Sequence, residues 1–188
     1  MPQEARRRIT EPEALEALAH PLRLALIDHL MADGPATASA CARAVGDTPS
    51  NCSYHLRILA KVGLVDEVES EDGRERPWRA LITGFDPDVD ADGPMTPQAA
   101  KLVAVSLQHD QRMVRDYIAR RDEVPRRWRS ADVYSIYTLR LSPQELRDLT
   151  AKLDALIRPY IAATREDAPR GSALVHLGLQ AFRKDVAR

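Results

Sequence analysis

Cysteine is nearly absent from this chain, which holds two in 188 residues, Cys41 and Cys52. That excludes the disulfide frame of a small secreted domain. No apolar run approaches the thickness of a bilayer, and Arg6-Arg7-Arg8 leads into Ile9-Thr10-Glu11-Pro12 rather than into a signal-peptide core. A cytoplasmic protein without membrane contact is expected. Also missing are a phosphate-cradling glycine loop, a nucleophile elbow and a His-Glu-x-x-His pair. With no residue to nominate as nucleophile or base, neither catalysis nor a cofactor is expected. Internal repeats and low-complexity tracts are absent too. Excess charge of either sign is lacking, for 27 Lys and Arg stand against 28 Asp and Glu. Any grip on a polyanion must therefore come from local charge.

What is present concentrates between residues 37 and 81. A short segment, Thr37-Ala38-Ser39-Ala40-Cys41-Ala42-Arg43-Ala44-Val45, is broken by Gly46. Thr48-Pro49 then offers a hydroxyl cap and a proline at a first helical position. The helix predicted to follow, through Lys61, turns Cys52, Leu56 and Leu59 inward at helical spacing. Ser50, Asn51, Ser53, Tyr54 and Arg57 remain outside. From Thr48 to Val65 there are two cations and no acid. Such a face suits a DNA major groove, where base edges and phosphates wait.

Gly63 ends that helix. The segment Leu64-Val65-Asp66-Glu67-Val68-Glu69, the turn pair Asp72-Gly73 and the return strand Trp78-Arg79-Ala80-Leu81-Ile82 predict a hairpin. A helix-turn-helix followed by a hairpin is the winged-helix order. The hairpin holds six acids between Asp66 and Arg76. A turn centred on Asp72-Gly73 sets Glu71 against Arg74, Glu69 against Arg76 and Asp66 against Arg79. Two readings stand here: a solvated, salt-paired hairpin, or an arginine-tipped wing on the DNA backbone.

The stretch Ala17-Leu18-Ala19-His20-Pro21-Leu22-Arg23-Leu24-Ala25-Leu26-Ile27-Asp28-His29-Leu30 resembles the opening of ArsR-type winged-helix repressors. Ser53-Tyr54-His55-Leu56-Arg57-Ile58-Leu59 with Gly63-Leu64-Val65 resembles their reading head. The resemblance covers residues 11–83, under half of the chain. It implies a homodimeric bacterial transcription regulator, a repressor by type, reading a two-fold symmetric operator in double-stranded DNA. By the same resemblance Ser50, Asn51, Ser53, Tyr54 and Arg57 would touch bases. Thr48 and Lys61 at the helix ends, with Arg74 and Arg76 of the wing, complete the expected DNA-binding set. Metal sensing, a habit of that family, is not expected. There is no Cys-x-Cys or Cys-x-x-Cys, and His109-Asp110 has no second histidine near it in sequence.

The remaining segments are read from pattern. Residues 1–10 look like a flexible arm whose arginines either solubilise the chain or reach DNA. Residues 11–84 form the winged domain, opening with a short helix over residues 11–19. Residues 85–95, with four aspartates and two prolines, read as a linker. Residues 96–188 form an α+β extension for dimerisation: a long helix after Thr96-Pro97, a strand over 131–141, a helix capped by Ser142 and Glu145, and a strand over 172–182. The fold class is thus mainly α with a small β part. Cys41 and Cys52 pack as small hydrophobes or form a thiol switch. Trp128, Tyr134, Tyr137, Tyr160 and Phe182 are core or dimer interface, or line the pocket of a small-molecule effector. The rival function is a winged-helix module that binds protein in place of DNA.

Overall fold

The computed structural model describes residues 7–69, 76–87 and 93–184. Its helices start where proline and a capping residue meet. Helices α1 (Pro12–Leu18), α2 (Pro21–Asp33), α4 (Pro49–Lys61), α5 (Pro97–Arg120) and α7 (Pro143–Ile157) all carry proline in the first turn. There its missing N–H costs nothing and its fixed φ is already helical. Thr37 caps α3 (Ala38–Val45), and Thr48, Thr96 and Ser142 cap α4, α5 and α7. At Ser142 the full reciprocal box forms, with Glu145 Oε2 accepting the Ser142 N–H at 2.7 Å. Helix α6 (Arg126–Arg129) is a single turn.

Strand β2 (Val65–Glu67) pairs antiparallel with β3 (Trp78–Ala80), setting Asp66 opposite Arg79. That is the register expected for a turn on Asp72-Gly73, although the turn itself lies outside the described residues. Ala36 exchanges both backbone hydrogen bonds with Trp78, at 2.9 and 2.8 Å, and so tethers the wing to the α2–α3 loop. Leu18, Leu26, Ile27, Cys41, Cys52, Leu56, Leu59 and Leu64 are sealed between α1–α4 and the wing, with Trp78 closing the side. Helix α5 adds Ala99 and Leu102. Both thiols thus behave as core atoms. Burial pushes Cys41 up to about 11, Cys52 adding to it, and burial raises Cys52 as well.

Three expectations change. Residues 7–9, read as part of an arm, form strand β1 (Arg7–Ile9), parallel to β4 (Phe85–Pro87), so the supposed linker begins with a strand. The cause is Ile9, which is fully buried and draws the segment onto the core. Arg7 is likewise committed, donating to the Gly63 carbonyl at 3.1 Å and to Glu11 at 3.4 Å. Residues 1–6 of the expected arm lie outside the described residues. In the extension the helices form as expected, but residues 131–141 and 172–182 join no sheet. No described residue after Leu102 is buried, so these segments have nothing to be a strand against.

Candidate nucleic-acid interface

Helix α4 is fixed at both ends. The Thr48 hydroxyl accepts the Asn51 N–H at 3.3 Å, and the far end closes with a glycine. Gly63 takes φ +67°, Leu64 N–H reaches the Leu59 carbonyl and Gly63 N–H that of Ala60, both at 3.0 Å. This double closure needs a left-handed residue, which glycine supplies without strain. Cys52, Leu56 and Leu59 are fully buried beneath the helix. Tyr54 and Arg57 are exposed, Ser50 is exposed at the leading turn, and Asn51 and Ser53 are half-exposed beside them. Lys61 stands exposed at the last turn. The six nominated side chains from Ser50 to Lys61 therefore share the side of α4 away from the core.

Three features around this helix stand beyond the six nominated side chains. Asp47, one residue outside the stretch counted as free of acid, sits at the leading end. Its carboxylate accepts from the Thr48 N–H at 2.6 Å and from Asn51 Nδ2 at 3.0 and 3.2 Å. The Thr48 amide above all, with the Asn51 amide, holds its carboxyl below the ordinary range. Any outside partner of the Asn51 amide must therefore share or displace that carboxylate; the adjacency Asp47-Thr48-Pro49 was the available signal. His55 is the second. It is buried, stacks on His20 with centroids 4.6 Å apart, and meets the Tyr54 ring edge-on at 5.2 Å. His20 Nδ1 accepts the Leu22 N–H at 3.2 Å, capping α2, while His55 Nδ1 is buried without a hydrogen-bond partner among the described residues. Burial lowers the pKa of both rings.

The third is a cleft of about 190 Å³ between the start of α3, the middle of α4 and the wing. Ser39, Ser53, Arg57 and Arg76 line it, with Glu67 and Trp78. Two guanidiniums and two hydroxyls beside a helix start make a place an oxyanion fits. Glu67 opposes that, holding Arg76 at 3.3 Å. On the same wing Asp66 lies 3.7 Å from Arg79. The cross-strand pairing expected for Asp66 is present, whereas Arg76 takes Glu67 rather than Glu69. Arg74 lies outside the described residues.

No group of three or more His, Cys, Asp or Glu side chains suited to a metal occurs among the described residues. His109 and Asp110 nonetheless have partners that the sequence hid. Asp28 lies 3.7 Å from His109, and His176 lies 3.4 Å from Asp110. The C-terminal aromatics do not gather into a pocket. Tyr134, Tyr137, Tyr160 and Phe182 are all exposed, and Arg165 covers one face of Tyr160 at 5.0 Å. No described helix is long and apolar enough to cross a membrane.

Residues 18–68 match a family model described as a helix-turn-helix domain. No curated protein matches the chain. Among solved structures, the chain is similar to the homodimeric winged helix-turn-helix DNA-binding domain of a possible ArsR-family transcriptional regulator from Mycobacterium bovis. That match has 24% identity, covers 54% of this chain and 79% of the other, and has a TM-score of 0.35. A probable transcriptional regulator from Pseudomonas aeruginosa is 20% identical over 78% of this chain and 88% of its own, with a TM-score of 0.32. ZitR from Lactococcus lactis is 13% identical over 84% and 79%, with a TM-score of 0.30. At such scores the superpositions are loose, and no ligand or partner carries over from them. Residues 18–68 thus match the helix-turn-helix domain model, and with the β2–β3 pair packed beside α4 this part of the molecule has the winged helix-turn-helix arrangement.

Proposed function

We propose that the chain is an ArsR-type transcription regulator, a repressor acting in the bacterial cytoplasm by binding rather than by catalysis. As a homodimer it would place α4 in successive major grooves of a two-fold symmetric operator. One observation carries this reading: α4 buries Cys52, Leu56 and Leu59 and turns Ser50, Asn51, Ser53, Tyr54 and Arg57 outward in a single helix-turn-helix frame. Ser50, Asn51, Ser53 and Tyr54 would read base edges, with Thr48 at the leading phosphate and Lys61 at the trailing one. Arg57 and Arg76 would take a phosphate at the mouth of the cleft with Ser53, Arg76 exchanging Glu67 for DNA. Arg74 would add to the same backbone contact. Dimerisation would run through α5, whose Val114 and Ile118 are exposed. A small-molecule effector would act on the extension.

The paired wing and Asp47 favour a second reading, a winged helix that docks protein instead of DNA. Selection of bound fragments from genomic DNA by the purified chain separates the two. Repressor function predicts a recovered two-fold motif whose log affinity falls steeply with log salt. No duplex binding at low salt with any fragment would leave the protein-docking reading standing.

A further inference from the structure

We propose that residues 131–141 and 172–182 of two copies of the chain pair across the dimer axis into one four-stranded sheet, with the two α7 helices covering it. This rests on the dimeric reading above and specifies its second interface. In the first segment apolar side chains occupy both faces, Val133, Tyr137 and Leu139 on one and Tyr134 and Ile136 on the other. Strands apolar on both faces belong inside a covered sheet. In the single chain Ile136 is 99% exposed and Val133 78%, and Leu174, Val175, Leu177 and Leu179 of the second segment are exposed as well. No backbone hydrogen bond involving residues 133–141 or 173–182 occurs among the described residues, so their main-chain groups are open to a ladder. Helix α7 fully buries none of its residues, and its stripe of Leu146, Leu149, Leu153 and Ile157 at helical spacing is only half-buried.

Number and placement identify the occupant. The two segments leave eleven large apolar side chains exposed, from Val133 to Phe182, where a monomer ordinarily exposes such side chains singly. An obligate homodimer buries apolar surface of this kind. Two strands are marginal as a sheet, whereas two copies supply four. Both segments are pinned to the proposed dimer helix. Asp132 accepts from Tyr117 at 2.7 Å and from Arg121 at 2.8 Å, and Asp110 on α5 meets His176 at 3.4 Å and Gln180 at 3.4 Å. The patch thereby runs on from Val114 and Ile118. Within residues 133–141 and 173–182 the only Asp, Glu, Lys or Arg is Arg140, so a charged partner finds little to match. A self-complementary two-fold contact requires no such match.

The test uses the full chain and a variant carrying Ile136→Lys and Leu177→Lys, both at exposed positions, with sedimentation and backbone hydrogen exchange. The expected wild type is a dimer whose amides in both segments are protected and lose protection on dilution. In the variant, dimer affinity should fall by about 100-fold or more while the α4 amides stay protected. A wild-type dimer with freely exchanging segments would overturn the sheet and leave the α5 dimer standing. Protection that survives in the monomer would also overturn it, as an intrachain pairing. A monomer at every concentration would remove sheet and dimer together. A protected dimer that ignores DNA would support the sheet while removing the operator reading.

Discussion

Asp47 works against the surface it helps to build. Its charge at the start of α4 favours the helix, whose first amides carry partial positive charge, yet it faces the side proposed to approach phosphate. Asp47→Asn should lower stability slightly and tighten binding to every duplex several-fold, opposite signs that denaturation and titration can separate. Asn51→Ala and Tyr54→Ala should each cost about 1–3 kcal/mol of operator affinity and relax preference at particular positions. Lys61→Ala should weaken all sequences alike and flatten the salt slope by about one unit. Wild-type selectivity in both Asn51→Ala and Tyr54→Ala would remove α4 as the reader. The stacked pair His20 and His55 predicts a pH effect. Burial lowers both folded pKa values, so below the unfolded value near 6.5 the unfolded chain binds more protons than the folded one. Stability should therefore be full at neutral pH and fall as pH drops below about 6.5. A double variant, His20→Asn with His55→Gln, should flatten that fall; an unchanged thermal profile between pH 7 and 5 would disprove the assignment.

Element by element, closures matter more than lengths. Gly63 ends α4 at φ +67°, where a built Cβ meets only Arg7 Nη1 at 3.9 Å. Space is therefore adequate and conformation is the obstacle. Gly63→Ala should destabilise the domain by about 1–2 kcal/mol through the left-handed backbone alone, read as a lower midpoint in urea with unchanged slope. Strand β1 gives the sharper case. If residues 7–9 were an arm, Ile9→Ala would be silent. Because Ile9 is fully buried, the substitution should cost about 2–5 kcal/mol.

The whole molecule divides into a half with a core and a half without one. All described residues with buried side chains end at Leu102, while α5 runs on to Arg120 and α7 beyond it is at most half-buried. Stability should follow that division. At concentrations low enough to separate dimers, limited proteolysis should cut first between residues 121 and 184 and leave a resistant fragment that ends just after α5. Equal resistance of both halves in the dilute chain would show an independent core in the extension.

Local chemistry was enough to determine helix α4. Thr48-Pro49, Gly63 and the spacing of Cys52, Leu56 and Leu59 act within a few residues of one another, so α4, its caps and its outward face were legible from the sequence. The Asp66–Arg79 register followed from the turn pair in the same way. Tertiary structure alone decided the rest. Ile9 against the core turned an arm into a strand, Asp28 and His176 came to α5 from far along the chain, and Glu67 took Arg76 diagonally. A run of apolar residues of strand length states that a segment wants covering; what covers it is a long-range fact. That is why residues 131–141 and 172–182 read as strands in sequence yet lie unpaired in the single chain.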